Sequence, residues 1–419
     1  VRGRAGHSTP SDDRVSGLVR LVLVAATLLL SSGCQPASVT SGGEPPIVRV
    51  RLLAAQERVM LAAWEPPMFR TSQDGGRRLS IPGGDAVPVT LAPEGWRVGS
   101  EVLPGGEMVV VPNTTGSVSV NGQAYRGSYR FVPVGNNRFD VVNDVDVDSY
   151  LKSVVPREML RNWHPEAFRA QAIVARTYAL YEARTAPAGK HYDLHADVRS
   201  QVYGGLASET DKAVQAVDST AGVVLAYGPR GAERIFKTYF SACCGGIGQN
   251  VTDAFRDRDL PPLRARNVGD ECSASPRFNW APVVLSKDEL TRRIRAWGTD
   301  RNHPIREMSR LERIDIATVN QFGRPVQFIL TDSRGARYSL GSEETRWACN
   351  ADAGSGPKLM SSFFKPIASA EVIQFTEGRG FGHGVGMCQW CAQMRALRGM
   401  RHEDIAVSSY PGSVLKRAY

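Results

Sequence analysis

Glu158 stands in the run VVPREML, just after Pro156 and flanked by Arg157 and Met159. A carboxyl held against apolar neighbours has its charged form disfavoured, so it can stay protonated near neutral pH and act as a general acid. The plain reading of a lone glutamate at a helix start is a first-turn partner of the helix dipole. A second candidate is His383 in GRGFGHGVGMCQW, surrounded by Gly378, Gly380, Gly382, Gly384 and Gly386. Glycine tolerates positive φ and lets backbone approach a ligand closely, so this loop reads as the wall of a cleft. It is no phosphate loop, because no Gly-Lys-Ser/Thr follows and no strand–helix nucleotide unit frames it. A third is YFSACCGG at 239–246, where a strand ends in small residues and a glycine pair. Such an ending presents side chains at a cleft rim, or simply turns the chain.

The chain has seven cysteines. Beyond Cys34 there are six: Cys243, Cys244, Cys272, Cys349, Cys388 and Cys391. Cys388-Gln-Trp-Cys391 has the two-residue spacing of a metal-binding pair. Cys244, Cys272, Cys388 and Cys391 are therefore candidate ligands of a structural zinc. Disulfides are the rival in an exported protein, and free thiols the third option.

Positioning these groups requires a folded body. The 419 residues suffice for roughly two or three domains of about 150 residues. Hydrophobic residues make up 42% and charged residues 22%, an ordinary globular balance. At the N-terminus, Arg2, Arg4, Arg14 and Arg20 precede the apolar run LVLVAATLLL at 21–30 and then Ser31-Ser32-Gly33-Cys34. This is the layout of a signal peptide over residues 1–34, too short in its apolar run for a spanning helix. The small residues before Cys34 resemble a lipoprotein processing box, which makes Cys34 the expected lipidation site and a lipid anchor the expected membrane contact. Val1 in place of Met points to an alternative or misplaced start. Residues 35–46 are rich in Pro, Ser and Gly and read as a tether. From 47 to 147 short apolar runs alternate with Gly, Pro and Asn, which predicts a β-rich N-terminal domain.

The pattern changes at Asp148, expected to cap a helix carrying Leu151, Val154 and Val155. Pro156 is expected to break that helix and leave Glu158 just past the break. A second helix opens at Pro165, with Phe168, Ala172, Ala175 and Ala179 as its buried stripe and Gln171 and Tyr178 sharing a face. Strand-like segments follow (GVVLAYG, RIFKTYFSA, RIDIATVN, VQFILTD), with helices at 286–297, capped by Ser286 and Glu289, and at 389–400. The fold class expected is α+β: a β-rich N-terminal part, then over 148–419 a mixed catalytic domain with a few helices packed on short strands. The 51 Lys and Arg against 42 Asp and Glu give a net charge of +9, scattered rather than in runs. That balance suits acidic partners, but no nucleic-acid-binding motif is present, so nucleic acid is not an expected partner.

Several stretches in order resemble the sporulation stage II protein D / amidase enhancer family. They are DVDSYLKSVVPREML, WHPEAFRAQAIVARTYAL, SQVYGG, AVDSTAGVVLAY, YFSACCGG, DECSASPRFNW and GRGFGHGVGMCQWCAQMRALRGM with a closing YPG. They span about residues 125–415. Cys391 stands where the family more often has glycine, Cys388 where serine is common, and SSYPGS lacks the second aromatic before Pro-Gly. The resemblance implies peptidoglycan as the substrate and lytic transglycosylase activity on glycan strands lacking stem peptides. It assigns the catalytic acid to Glu158. It places Arg176 and Tyr178, Gln201 and Tyr203, and His383 and Gln389 at the substrate, with Gln171 on the face of Tyr178. One carboxyl serves as acid and then base, and no cofactor is required. The alternative is a non-catalytic peptidoglycan-binding activator of a cell-wall amidase, and a third reading is a structural envelope lipoprotein with a decayed site. On each reading the chain is expected to be exported and to work in the cell envelope or periplasm.

Overall fold

In the computed structural model the described residues are 43–72, 74–79, 81, 84–113 and 117–419. The expected signal peptide, the Cys34 lipidation site and most of the tether lie outside them. Among the described residues no helix is long and apolar enough to cross a membrane.

The fold is α+β. The N-terminal third builds two sheets. The larger has seven strands in the order 194–195, 47–56, 138–146, 128–135, 108–111, 68–71 and 74–78; the smaller has six, with 58–63 and 87–92 at its centre. Trp96 of the smaller sheet meets Phe131 and Phe139 of the larger edge-on, at ring distances of 5.9 and 5.0 Å. All three rings are fully buried, and their burial holds the sheets face to face. The hairpin joining strands 128–135 and 138–146 turns at Asn136 and Asn137. Both have positive φ, which asparagine tolerates and which suits the twist of the strands.

Strand Arg138–Asp146 runs directly into helix α1 (Val147–Glu158), and α2 (Pro165–Thr185) packs against it. Asp146, rather than Asp148, caps α1, its carboxylate accepting from the Ser149 N–H at 2.8 Å. Nor does Pro156 break the helix. It lies in the last turn, where its missing N–H forfeits one bond to the Lys152 carbonyl. Burial of Tyr150, Leu151, Val154 and Val155 outweighs that loss, and α1 continues to Glu158. Burying one such side chain contributes about 1.5–3 kcal/mol. Helix α2 opens with His164 as cap and Pro165 in its first turn. Its Phe168, Ala172, Ala175 and Ala179 are buried, and so is nearly every other residue from Ala167 to Leu180, so it is central rather than merely amphipathic.

The remaining helices are α3 (Asp211–Ser219), α4 (Val251–Phe255), α5 (Lys287–Asp300), α6 (Ser342–Asn350), α7 (Gln389–Leu397) and α8 (His402–Ser409). Ser286 caps α5 through the Glu289 N–H, while the Glu289 carboxylate turns to Arg292 and Arg293 instead of closing a capping box. Residues 280–375 gather a hydrophobic cluster of their own around Leu290, Ile294, Phe328, Phe364 and Phe375. The chain then returns: α7 and α8 pack on α2, and strand Val414–Arg417 pairs with Val223–Tyr227. Core residues of the sheets, α1, α2 and the last helices form one continuous cluster.

Arg176, expected at the substrate, is instead inside this cluster with no exposed surface. Its guanidinium donates to Asp148 at 2.9 Å and to the Val217 and Val223 carbonyls at 3.1 and 3.2 Å. Asp148 also accepts from the Tyr419 hydroxyl at 2.8 Å. Removing one partner of a buried ion pair costs about 3–5 kcal/mol. Arg176→Gln should therefore lower unfolding stability by about 3 kcal/mol. Chemical denaturation reads this directly; an unchanged midpoint would return Arg176 to the list of ligand-binding candidates.

Candidate active site

Glu158 is the last residue of α1, not the first of a helix. The negative end of the helix dipole points at it, so the dipole opposes its ionisation instead of favouring it. The side chain is half-buried. Burial pushes its pKa up; the Val202 N–H, the Gln389 side chain and the Arg157 charge act the other way, and burial wins. The Val202 N–H donates to Oε1 at 3.1 Å. A carboxyl set this way holds its proton to higher pH than an exposed one while keeping hydrogen bonds that orient it.

The fold builds the Val202 contact from below. Leu194 and His195 join the large sheet beside Val50 and Arg51, which brings the chain leaving α2 back under α1. Gln201 and Tyr203 then fix the backbone on either side of Val202. The Tyr150 hydroxyl donates to the Gln201 side-chain amide oxygen at 3.2 Å, and the Tyr203 hydroxyl donates to the Asn143 side-chain oxygen at 2.8 Å. Both side chains are almost wholly buried. Expected at the substrate, they are backbone anchors instead, since no free polar atom of theirs faces outward.

Gln389 opens α7 and joins Glu158 to α2: its amide nitrogen donates to the Gln171 oxygen at 3.4 Å. Gln171 is fully buried, and its own amide nitrogen has no protein partner. Tyr178 is nearly buried, its ring edge-on to Tyr239 and Phe240, and the Glu158 charge is among the causes that raise its pKa after burial. Of the expected substrate residues, then, Gln171, Tyr178 and Gln389 gather near Glu158. The cation that acts on Glu158 is the exposed Arg157, which takes the place expected of Arg176.

His383 does not face this carboxyl with a free nitrogen. Nε2 lies 2.8 Å from the Phe240 carbonyl, and Nδ1 accepts from the Val385 N–H at 3.0 Å. Both nitrogens are thus spent on backbone. Burial lowers its pKa to about 4, so the ring is neutral and serves to pin the glycine loop to strand Phe240–Ser241. The glycines are needed for that contact. A side chain at Gly386 would meet the Tyr239 carbonyl at 1.9 Å, and one at Gly384 would meet the Arg324 guanidinium at 2.1 Å.

A contact not foreseen in the sequence closes the other side. Trp163 and Trp390 meet edge-on at 5.0 Å, and the His164 N–H donates to Gln393 at 2.8 Å. Together they clasp the α1–α2 turn to α7. Each tryptophan lies within a segment that carries the family resemblance, but their pairing depends on segments far apart in the chain.

Among the described residues, two groups have metal-ligand chemistry. The sulfurs of Cys244, Cys272, Cys388 and Cys391 all lie within 4.8 Å of one another and are buried. Glu166, His402 and Glu403 also converge, but there the Glu166 carboxylate is already occupied by the His402 N–H, the His402 ring and Arg169, as a clamp between α2 and α8.

Residues 135–227 match the family described as Stage II sporulation protein. This segment contains Glu158, Gln171, Tyr178 and Val202, while Gln389, His383 and the cysteines lie beyond it. The chain is 29% identical over 303 residues to an uncharacterised protein of Brachyspira hyodysenteriae, covering 72% of this chain and 75% of that one. It is 25% identical over 322 residues to Stage II sporulation protein D of Bacillus subtilis, covering 73% and 84%. Its similarity to the Amidase enhancer of the same organism is 24% over 340 residues, and there it spans only 45% of the relative.

The raised pKa of Glu158 has a stability consequence. The folded state holds this proton more tightly than the unfolded chain, whose carboxyl titrates near its ordinary value of 4.5. Wild-type stability therefore falls as pH rises from that value through the raised one. Glu158→Gln keeps the hydrogen-bonding shape without the charge. Its thermal midpoint should exceed wild type at pH 7 and converge with it below about pH 4. A pH-independent offset would mean that the carboxyl is not perturbed.

Proposed function

Because the chain carries a domain of the stage II sporulation protein family, we propose that it cleaves the glycan strands of peptidoglycan as a lytic transglycosylase, with Glu158 as acid and then base. The observation that carries this reading is a single carboxyl at a helix C-terminus, half-buried, with its pKa raised by burial and its orientation set by Val202 and Gln389.

The chemistry needs no second carboxylate. Glu158 gives its proton to the glycosidic oxygen between the N-acetylmuramic acid and N-acetylglucosamine residues. The C1–O bond breaks, and positive charge develops at the muramic C1. The C6 hydroxyl of the same sugar then forms the new C–O bond, and its proton returns to the Glu158 carboxylate. The product is a 1,6-anhydro end, and water is not consumed. Hydrolytic glycosidases place two carboxylates across the scissile bond because one must activate water or attack; an internal nucleophile removes that need. Arg157 supplies a cation for the lactyl carboxylate of strands stripped of stem peptides. On this reading the chain acts outside the cytoplasm, held to a membrane through Cys34.

The Amidase enhancer likeness supports a second reading, in which the protein binds peptidoglycan and stimulates a cell-wall amidase without cutting glycan. Products separate the two. Incubation with glycan strands lacking stem peptides should yield anhydro-muramic ends by mass spectrometry, and Glu158→Gln should reduce their rate by about 10²–10⁴. Wild-type rate in that variant would remove Glu158 from the chemistry. No anhydro ends from the wild type, together with faster release of stem peptides by an added amidase, would favour the enhancer reading.

A further inference from the structure

We propose that Cys244, Cys272, Cys388 and Cys391 bind a structural zinc ion that locks the start of α7 to the strand end at Phe240–Cys244. The inference does not depend on the reaction assigned to Glu158.

Four features carry it. The first is spacing. Zinc–thiolate bonds of about 2.3 Å at tetrahedral angles put neighbouring sulfurs about 3.8 Å apart. Cys244 and Cys272 are 3.7 Å apart at sulfur, and all four sulfurs lie within 4.8 Å of each other. Two disulfides would instead divide four sulfurs into two pairs, each at about 2.05 Å. The second feature is hydrogen bonding at Cys388. Its sulfur is approached by the N–H groups of Cys244 and Cys391, both at 3.4 Å. Backbone donors converging on one sulfur stabilise a thiolate, and Cys388 also caps α7, where the helix dipole favours negative charge.

The third feature is charge. Four thiolates around a divalent cation leave two negative charges in a buried site. Arg266 and Arg395 border the same small cavity, of about 20 Å³, as Cys244, Cys388 and Cys391. Arg395 is itself paired with Glu271 at 2.7 Å, so Arg266, which donates to the Ser408, Ser409 and Gly386 backbone carbonyls and has no carboxylate partner among the described residues, is the freer counter-charge. The fourth is ligand type. Four soft sulfur donors in a closed, buried set select zinc over the hard cations and leave no position open for catalysis. Cys243 touches the group, its sulfur 3.6 Å from Cys272, but falls outside the set of four whose ligand atoms converge. Cys349 is buried in the separate 280–375 cluster.

The ion would join three segments that are distant in sequence. Cys388 immediately precedes Gln389, which bonds Glu158, and Cys244 ends the segment that receives His383. The metal therefore acts as a positioning element for both.

The test is elemental analysis of the full chain purified without added metal or chelating resin, with alkylation and mass measurement under denaturing conditions. About one zinc ion per chain is expected, with its release tracking titration of the cysteines by an organomercurial. Cys388→Ser and Cys391→Ser should each lose the zinc, while Cys349→Ser keeps it. Should the first two fail to fold, wild-type protein reconstituted with cobalt(II) should show the sulfur-to-metal charge-transfer bands of a tetrahedral thiolate site. Metal-free wild type, with these cysteines either fully alkylated or joined in disulfides by mass, would overturn the inference. So would stoichiometric iron in place of zinc. None of these readings depends on glycan cleavage.

Discussion

The buried Arg176–Asp148 pair is the constraint on which the positions of the other elements depend. One guanidinium draws together α1 through Asp148, the end of α3 through Val217 and the strand Val223–Tyr227 through its first carbonyl. The hydroxyl of Tyr419, the last residue, reaches the same carboxylate. A guanidinium without exposure is tolerated only when its hydrogen-bonding capacity is largely satisfied, and here backbone carbonyls supply what the Asp148 carboxylate does not. Hydrophobic packing alone would leave α1 free to slide or turn against α2. The directional bonds of Arg176 favour one register, and that register decides where the end of α1 lies.

At that end the usual logic of helix charges is reversed. Carboxylates normally gather at helix N-termini, as Asp148, Glu166, Asp288 and Glu289 do here. Glu158 sits at a C-terminus, half out of water, with three modest stabilising contacts. Each choice makes the ionised form less comfortable. A protein selected for stability alone would place glutamine or lysine there. On the proposed reading a carboxyl at a position that disfavours its charge serves as the proton donor, and it is local strain that the packed α1–α2 core can absorb.

Much of this was legible in the sequence, and the failures share a cause. The β-rich start, the helix opening at Pro165 and the buried alanine face all follow from local patterns. Pro156 misled because its local effect is real but small beside the burial of Val154 and Val155. Arg176, Gln201 and Tyr203 were expected at the substrate because the family resemblance places them there, not because their own spacing does. Whether such a side chain faces a cleft or a core depends on long-range packing, and the spacing pattern of a helix or loop does not encode it. Val202 could not have been singled out at all, since its contribution is a backbone N–H and its side chain is incidental. The Trp163–Trp390 contact likewise joins segments whose meeting no local rule foretells.

The cysteines sharpen the same distinction. Cys388-x-x-Cys391 is a local signal, while Cys244 and Cys272 join it only because the chain leaves for the 280–375 cluster and then comes back. An excursion of that length carries a loop-closure cost that grows slowly with its size, so the return point needs bonds of its own rather than a short connection. The returning strand supplies some: Gly378–Arg379 pairs with Asn279–Trp280, Phe381 bridges Cys243, and Met387–Cys388 pairs with Phe240–Ser241. Each of these ladders is only about two residues long, too short to be stable alone. The His383 ring adds fixed backbone contacts, and the sulfur cluster gathers the last of the returning strand. Gln389 follows directly, so the precision with which Glu158 is met from α7 can be no better than the rigidity of this return.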